Sequence, residues 1–372
     1  MKKKRVLFLI HDLGPGGAEK VLVNLVNNRD FEQFDITVMT LFDEGVNRQF
    51  LSPKITYRSC FGKALPGNSH LMKLLSPKAL HRWLIRERYD VEIAYLEGPC
   101  ARIISGCEDP NTKRVAWIHI EQRTKKRAAV SFRSVGEATA CYNGMDRIIC
   151  VSRTVRDDFL SLLPVKAPVD VLYNTNESAK ILKLAREPVE PDVFSDAEIK
   201  LVGVGKLLKN KGFHRIISEV AKLRGAGYPV HLYLLGDGPM RRELENLASA
   251  QGVSDYVSFL GYQTNPYKYV AGSDLFVCAS FAEGFSTAAT EALIVGTPVC
   301  TVEVSGMKEM LGENNEWGIV TDNDEDALYR GIKRLLDDPA LLAHYREQAV
   351  RRGETFRTEN TVNAVQEMLR EL

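Results

Sequence analysis

The residues best suited to chemistry gather between Glu283 and Thr301, EGFSTAATEALIVGTPVCT. Two carboxylates, Glu283 and Glu291, stand eight residues apart with a Gly-Phe-Ser-Thr turn between them. An apolar run, Asp274–Ser280, precedes them and reads as a buried strand, and Thr297–Thr301 begins another. Strand, tight turn, helix and strand form the βαβ pattern of a parallel sheet, whose ligands bind at the carboxyl ends of the strands. Ser286 and Thr287 fall where the first free N–H groups of the helix point outward, and with the macrodipole these make an anion site. Glu283 would lie at the mouth of the crevice, with Glu291 about two turns along at ~1.5 Å per residue. Phosphate held at the helix start, with an acid at each end, suits a sugar nucleotide. The plainer reading is two surface glutamates favoured by the helix dipole.

Other loops could hold phosphate. Gly14-Pro15-Gly16-Gly17-Ala18-Glu19-Lys20 follows the first strand-like run and opens an apolar-periodic helix containing Val21, Leu22, Leu25 and Val26. Its glycines allow a sharp turn and close backbone approach to a ligand. A dinucleotide fingerprint needs glycine at 14, 16 and 19; position 19 is Glu, so a dehydrogenase reading fails, while a purely structural turn stays open. Further on, Val202-Gly203-Val204-Gly205-Lys206 ends a strand and Lys211-Gly212-Phe213 opens a helix. Two lysines then flank a loop at the carboxyl edge of the sheet, placed to neutralise a departing pyrophosphate or simply to sit in solvent. Leu234-Leu235-Gly236-Asp237-Gly238-Pro239 is a third strand–turn–helix, with proline near the helix start, and reads as structural, or as lining the cleft through a main-chain group.

The elements that must position these residues come in two sets. Strand-like runs at Arg5–Ile10, Ile36–Leu41, Val91–Tyr95, Val115–His119, Arg147–Val151 and Val169–Leu172 alternate with helical stretches. The rhythm restarts at Lys200–Gly205, His231–Gly236, Tyr256–Gly261, Leu275–Ala279, Pro298–Val302 and Gly318–Thr321. The expected class is α/β, two doubly wound domains over 1–176 and 200–355. Residues 177–199, with Pro188-Val-Glu-Pro191 and many charges, read as a linker. The helical stretch at 356–372 could cap the second domain or return to the first. A chain of 372 residues is long for one core and suits two domains. Hydrophobic content of 45% and charged content of 26% are those of a soluble globular protein. A net charge of +1 argues against a nucleic-acid partner for the surface as a whole. The apolar stretch Val6–Ile10 ends at His11-Asp12, so the N-terminus reads as a strand rather than a signal peptide. Seven scattered cysteines fit reduced, buried thiols in a cytoplasmic protein better than a disulfide framework or a zinc site.

In this order the pieces resemble the retaining glycosyltransferases of the large family 4, which have the GT-B fold. They are GGAEK at 16–20, VGKL at 204–207 with KG at 211–212, LGDGP at 235–239, FLGY at 259–262 with NPY at 265–267, and EGFSTAATEALIVGTPV at 283–299. The resemblance implies two Rossmann-like domains with the active site in the cleft between them, and a C-terminal helix that returns to the first domain. It implies that Glu283 contacts the donor sugar hydroxyls and Glu291 the ribose. The diphosphate would be held by amides of Gly284, Phe285, Ser286 and Thr287 and by the loops at Gly16, Gly17 and Gly205, with Lys206 and Lys211 balancing its charge. Tyr262 would face the base. His119 matches a histidine placed beside the reacting sugar, although a histidine at a strand end is otherwise usually structural. The family usually has Arg where Lys206 stands; lysine keeps the charge and loses the two-pronged geometry. Residues 59–77 match nothing in the family, and acceptor specificity is expected there.

The implied reaction moves a sugar from a nucleoside diphosphate to an acceptor hydroxyl with retention, and needs neither metal nor cofactor. Family frequency favours UDP-hexose or UDP-N-acetylhexosamine as donor. The acceptor would be a saccharide or lipid-linked saccharide, in surface polysaccharide or glycoconjugate assembly. Asp322-Asn323-Asp324 spells the Asp-x-Asp of metal-dependent enzymes of another fold, but it precedes a helical run and reads as helix capping. From Lys113 to Arg133, seven basic residues face Glu121 alone. That is a solvated face or a surface for anionic headgroups, or for a lipid-diphosphate acceptor, at the inner face of the membrane. Two other readings remain, a hydrolysing sugar-nucleotide epimerase and a non-catalytic sugar-nucleotide-binding subunit.

Overall fold

The computed structural model describes residues 3–63, 72–191, 193–194 and 198–372. Residues 64–71, part of the 59–77 stretch expected to govern acceptor choice, lie outside the described residues. The chain divides into two compact units, one made of Met1–Asn176 and Thr358–Leu372, the other of Glu177–Arg357.

In the first unit the strands are β1 (Lys4–Ile10), β2 (Phe34–Phe42), β3 (Thr56–Phe61), β4 (Val91–Ala94), β5 (Lys113–Ile118), β6 (Arg147–Cys150) and β7 (Val169–Val171). Among the described residues they form a seven-stranded parallel sheet ordered β3-β2-β1-β4-β5-β6-β7. Val6 is in register with Ile36 on one side and Val91 on the other. Val6–Ile10 and Val91–Ala94 are buried throughout, as strands covered on both faces must be. Helix Thr358–Glu371 completes this unit: Lys4 Nζ donates to Leu369 O at 2.8 Å, and Thr358 Oγ1 to Asn176 O at 2.7 Å. The fully buried Arg102 donates to Met72 O, Leu75 O and both oxygens of Glu137, while Arg133 donates to Lys73 O and Leu74 O. Segment 72–75 is thereby tied to helix Val135–Asn143 by charge-assisted bonds.

The second unit contains β8 (Ile199–Val204), β9 (Val230–Leu235), β10 (Val257–Gly261), β11 (Leu275–Cys278), β12 (Val299–Val302) and β13 (Ile319–Thr321). Its described strands form a six-stranded parallel sheet ordered β10-β9-β8-β11-β12-β13. In each sheet the order reverses beside the first strand of the set, between β1 and β4 and between β8 and β11, and such reversals open a crevice at the carboxyl ends. Helix Pro339–Thr355 packs against helix Thr287–Ile294 so closely that a Cβ on Gly353 would meet Leu293 O at 2.5 Å. The stretch 177–199 departs from its reading as a linker. It holds helix Ser178–Ala185, whose Ile181 is buried, and it groups with the second unit. All seven cysteines are free, and six of them are buried.

Candidate active site

The second unit's reversal point carries the densest chemistry. The loop after β8 runs through a short turn, Lys209–Lys211, to Gly212, whose φ of +67° lies in the left-handed region. A Cβ there would meet Ala279 O, just past β11, at 2.0 Å. Only glycine lets the two loops close on each other this far. The closure brings Lys211 to Glu283: Nζ lies 2.7 Å from Oε1 and 2.9 Å from Oε2. Ser280 Oγ donates to the same Oε1 at 2.7 Å. Burial pulls the Lys211 ammonium down, but the charge and hydrogen bonds of Glu283 outweigh it and hold Lys211 above the usual lysine range. Glu283 therefore presents an oriented carboxylate whose remaining lone pairs can accept hydroxyl groups.

Gly284, Phe285 and Ser286 are buried beyond Glu283, and Ser286 caps helix Thr287–Ile294 by accepting the Ala289 N–H. No residue inside a helix accepts its first N–H groups, so those of Thr287 and Ala288 can serve an anion. Glu291 is buried on the same helix. Lys206 is exposed and has no ion-pair partner among the described residues, so the structure brings Lys211, but not Lys206, to Glu283. Gly205 donates its N–H to Leu235 O at 2.9 Å. Tyr262, just past the bulged end of β10, is 65% exposed.

In the first unit the matching edge carries Gly16, Gly17 and His119. Gly16 and Gly17 are exposed at the start of helix Gly17–Asn27. The preceding loop is fixed by the Gly14 N–H on Asp12 Oδ1 at 2.7 Å and by Asn47 Nδ2 on Gly14 O. His119 follows β5, and its backbone N–H donates to Glu97 Oε2 at 3.1 Å. Burial pulls the imidazole down to about 3, against a hydrogen bond with the Tyr95 backbone, so the ring is neutral. Its Nε2 is buried without a partner among the described residues.

Two family models cover most of the chain. Residues 15–175 match "Glycosyltransferase Family 4" and residues 189–352 match "Glycosyl transferases group 1". The chain belongs to the family 4 glycosyltransferases. A relative in Campylobacter jejuni is the N-acetylgalactosamine-N,N'-diacetylbacillosaminyl-diphospho-undecaprenol 4-alpha-N-acetylgalactosaminyltransferase. It is 27% identical over 360 residues, 93% of this chain and 94% of its own. The lipopolysaccharide core biosynthesis glycosyltransferase LpsD of Rhizobium meliloti is 27% identical over 362 residues, 96% of this chain and 94% of its own. Anabaena Alr3699/HepE, solved with UDP-glucose, superposes with a TM-score of 0.76 at 19% identity, covering 99% of this chain and 100% of that one. That likeness shows the GT-B fold.

Around these loops of the glycosyltransferase lie buried charged residues that its sequence did not single out. Arg215, buried on helix Phe213–Gly225, donates through Nη1 to Ala279 O at 3.2 Å and Asn323 Oδ1 at 2.7 Å, and lies over the Phe281 ring at 4.9 Å. It thus braces the strand end that carries Ser280 and Glu283. Asn323 is the middle of the Asp-x-Asp triplet, and Asp324 caps helix Glu325–Asp337 by accepting the Ala327 N–H at 2.7 Å, as helix-capping chemistry requires. Glu97, beside the His119 amide, has its carboxyl pushed up by burial. A lone Glu after a short apolar run carries no sequence signal for this.

Proposed function

We propose that the enzyme transfers a hexose or N-acetylhexosamine, with retention and without a metal, from a UDP-sugar to a hydroxyl of a saccharide or lipid-linked saccharide acceptor. The observation that carries this reading is the Lys211–Glu283–Ser280 cluster at the reversal point of the second sheet, next to the open start of helix Thr287–Ile294. Glu283 accepts from the sugar hydroxyls, and Glu291 serves the ribose. Tyr262 faces the base. The diphosphate rests on amides of Gly284–Thr287 with Gly205, Gly16 and Gly17 at its edges, and Lys206 supplies the unpaired cation. Such preorganised donors stabilise charge where it develops, on the leaving phosphate. The bond from the anomeric carbon to the diphosphate breaks while that to the acceptor oxygen forms on the same face. The acceptor proton passes to the departing phosphate oxygen. His119, neutral and with Nε2 unpartnered, offers a hydrogen bond to the reacting sugar.

The relatives named for lipid-linked and lipopolysaccharide substrates support an acceptor in surface glycan assembly. We place the enzyme in the cytoplasm, in peripheral contact with anionic lipid. Supporting that contact, Lys125, Lys126 and Arg127 are exposed without ion pairs among the described residues, while Val130 is 63% and Leu74 76% exposed. Arg133 holds the Leu74 backbone by donating to its carbonyl oxygen at 2.8 Å. Among the described residues no helix is long and apolar enough to cross a membrane.

A thermal-shift screen of nucleoside diphosphate sugars, followed by NMR of the transfer product, tests the reading. A UDP-sugar should raise Tm and yield free UDP with a glycoside of unchanged anomeric configuration. An epimerised sugar, or binding with no turnover on any acceptor, would replace this reading with one of the other two.

A further inference from the structure

Away from the donor-site residues, three side chains of metal-binding type converge in the first unit. His81 lies on helix Pro77–Leu84, Glu92 on β4, and Cys107 in the turn after helix Pro99–Ile104. His81 Nε2 is 2.7 Å from Glu92 Oε2, and one ligand atom from each of the three lies within 4.8 Å of the others. Glu92 is 1% and Cys107 6% exposed. All three line a cavity of about 640 Å³, which gives an ion a path in and a water a place to sit.

The chain holds these groups in place. A Cβ on Gly106 would meet Pro77 O at 2.0 Å and Lys78 N at 2.7 Å, so the turn carrying Cys107 is pressed against the start of the helix carrying His81. Glu92 is fixed by the ladder, in register with Leu7 on β1 and Arg114 on β5. A carboxylate buried on an interior strand is costly unless a cation answers it, and here the partner is an imidazole with a thiol beside it.

We propose that His81, Glu92 and Cys107 bind a transition-metal cation of the zinc class, with a water from the cavity as fourth ligand. Imidazole, carboxylate and thiolate bind Zn²⁺ at roughly 2.0–2.3 Å in a tetrahedron. That geometry sets ligand atoms about 3.3–3.7 Å apart, so His81 and Glu92 need only separate by about 0.6 Å. The sulfur and nitrogen donors disfavour Mg²⁺ and Ca²⁺, which take oxygen. The thiol and any N–H proton on Nε2 leave to solvent as the cation enters. The ion would staple helix Pro77–Leu84, β4 and the 105–107 turn together, independently of the donor chemistry.

The test is a Co²⁺ titration of the metal-stripped full chain, followed by Zn²⁺ displacement and stoichiometry by mass spectrometry. One equivalent should bind with the thiolate-to-cobalt charge-transfer absorption and visible bands of a tetrahedral site, and Zn²⁺ should raise Tm. Cys107→Ser should abolish the charge-transfer band, and His81→Gln should weaken uptake at least tenfold, with circular dichroism confirming that both variants fold. Cys60→Ser, which removes the half-buried thiol, should leave the band intact and serves if Cys107→Ser does not fold. Wild-type protein with no saturable uptake, a band unchanged in Cys107→Ser, or a band lost in Cys60→Ser would each overturn the site.

Discussion

The Lys211 ammonium bonds both oxygens of Glu283, at 2.7 and 2.9 Å, so the cation expected at the diphosphate and the acid expected at the sugar form one unit. Glu283→Ala should lower kcat/KM by about 10²–10³-fold, the scale for removing one preorganised polar contact, while circular dichroism stays native. Full activity in that variant would refute the role assigned to Glu283. Lys211→Met leaves the carboxylate without its ammonium and should cost about 1–3 kcal/mol, below the 3–5 of a fully buried pair because the site is partly open. Since Lys211 is held above the usual lysine range, the pair's stabilisation is complete below the unfolded value of about 10.4. It is lost only as pH rises beyond that through the folded value, which urea unfolding across alkaline pH would show.

Gly212→Ala should be among the most damaging small substitutions in the second unit. The added Cβ would meet Ala279 O at 2.0 Å in a backbone of φ +67°. Strain of that kind costs about 1–3 kcal/mol, and any relief must move Lys211 away from Glu283. Urea unfolding should show the loss of stability, and kcat should fall more than tenfold. Native activity in Gly212→Ala would mean that the loop closure does not position the pair.

The bonds that the Arg102 guanidinium and the Arg133 amide make to Glu137 make the first unit acid-sensitive. Burial pushes the Glu137 carboxyl up, but Arg102, the Arg133 amide and their charges outweigh it and hold the group below the usual carboxylate range. Its stabilisation is thus fully present above the unfolded value of about 4.3 and fades as pH falls through the lower folded value. Glu137→Gln should flatten that acid limb and lower stability at pH 7 by about 1–3 kcal/mol. A variant with the wild-type acid limb would show that the latch contributes nothing.

Vesicle binding tests the surface at Lys125, Lys126 and Arg127. Sedimentation with anionic vesicles should weaken on reversing these three charges, by about 1 kcal/mol for each basic residue lost. It should also fade at high salt. Val130→Ser should weaken binding at high salt as well, because it removes the apolar part of the contact. No binding of the wild type at low salt would end the membrane assignment.

Most strands were legible because parallel strands covered on both faces read as short apolar runs, as Val6–Ile10 and Leu275–Cys278 do. The exception is β3, Thr56–Phe61, an edge strand with no fully buried residue. Helix Ser178–Ala185 was hidden by the prolines at 188 and 191 that follow it. The glutamates, lysines and glycine loops of the proposed donor site could be named from motifs, but the Lys211–Glu283 bond could not. The two residues are 72 positions apart, and only the reversal of strand order sets β8 beside β11. Arg215 belongs to no motif, and its bonds to Ala279 and Asn323 exist only in three dimensions. His81, Glu92 and Cys107 sit on three different elements, so no spacing pattern could have marked them.

Helix Thr358–Glu371 has a consequence for the order in which this molecule is made. It buries Val362, Val365, Met368 and Leu369 in the first unit, yet the ribosome reaches it only after the whole second unit has been translated. During synthesis the amino-terminal half must wait, part of its apolar surface unclothed, for residues translated some 180 codons later. The first unit can therefore finish folding only after the second has been translated, and a stop codon anywhere in the second half would leave the first half unfinished as well.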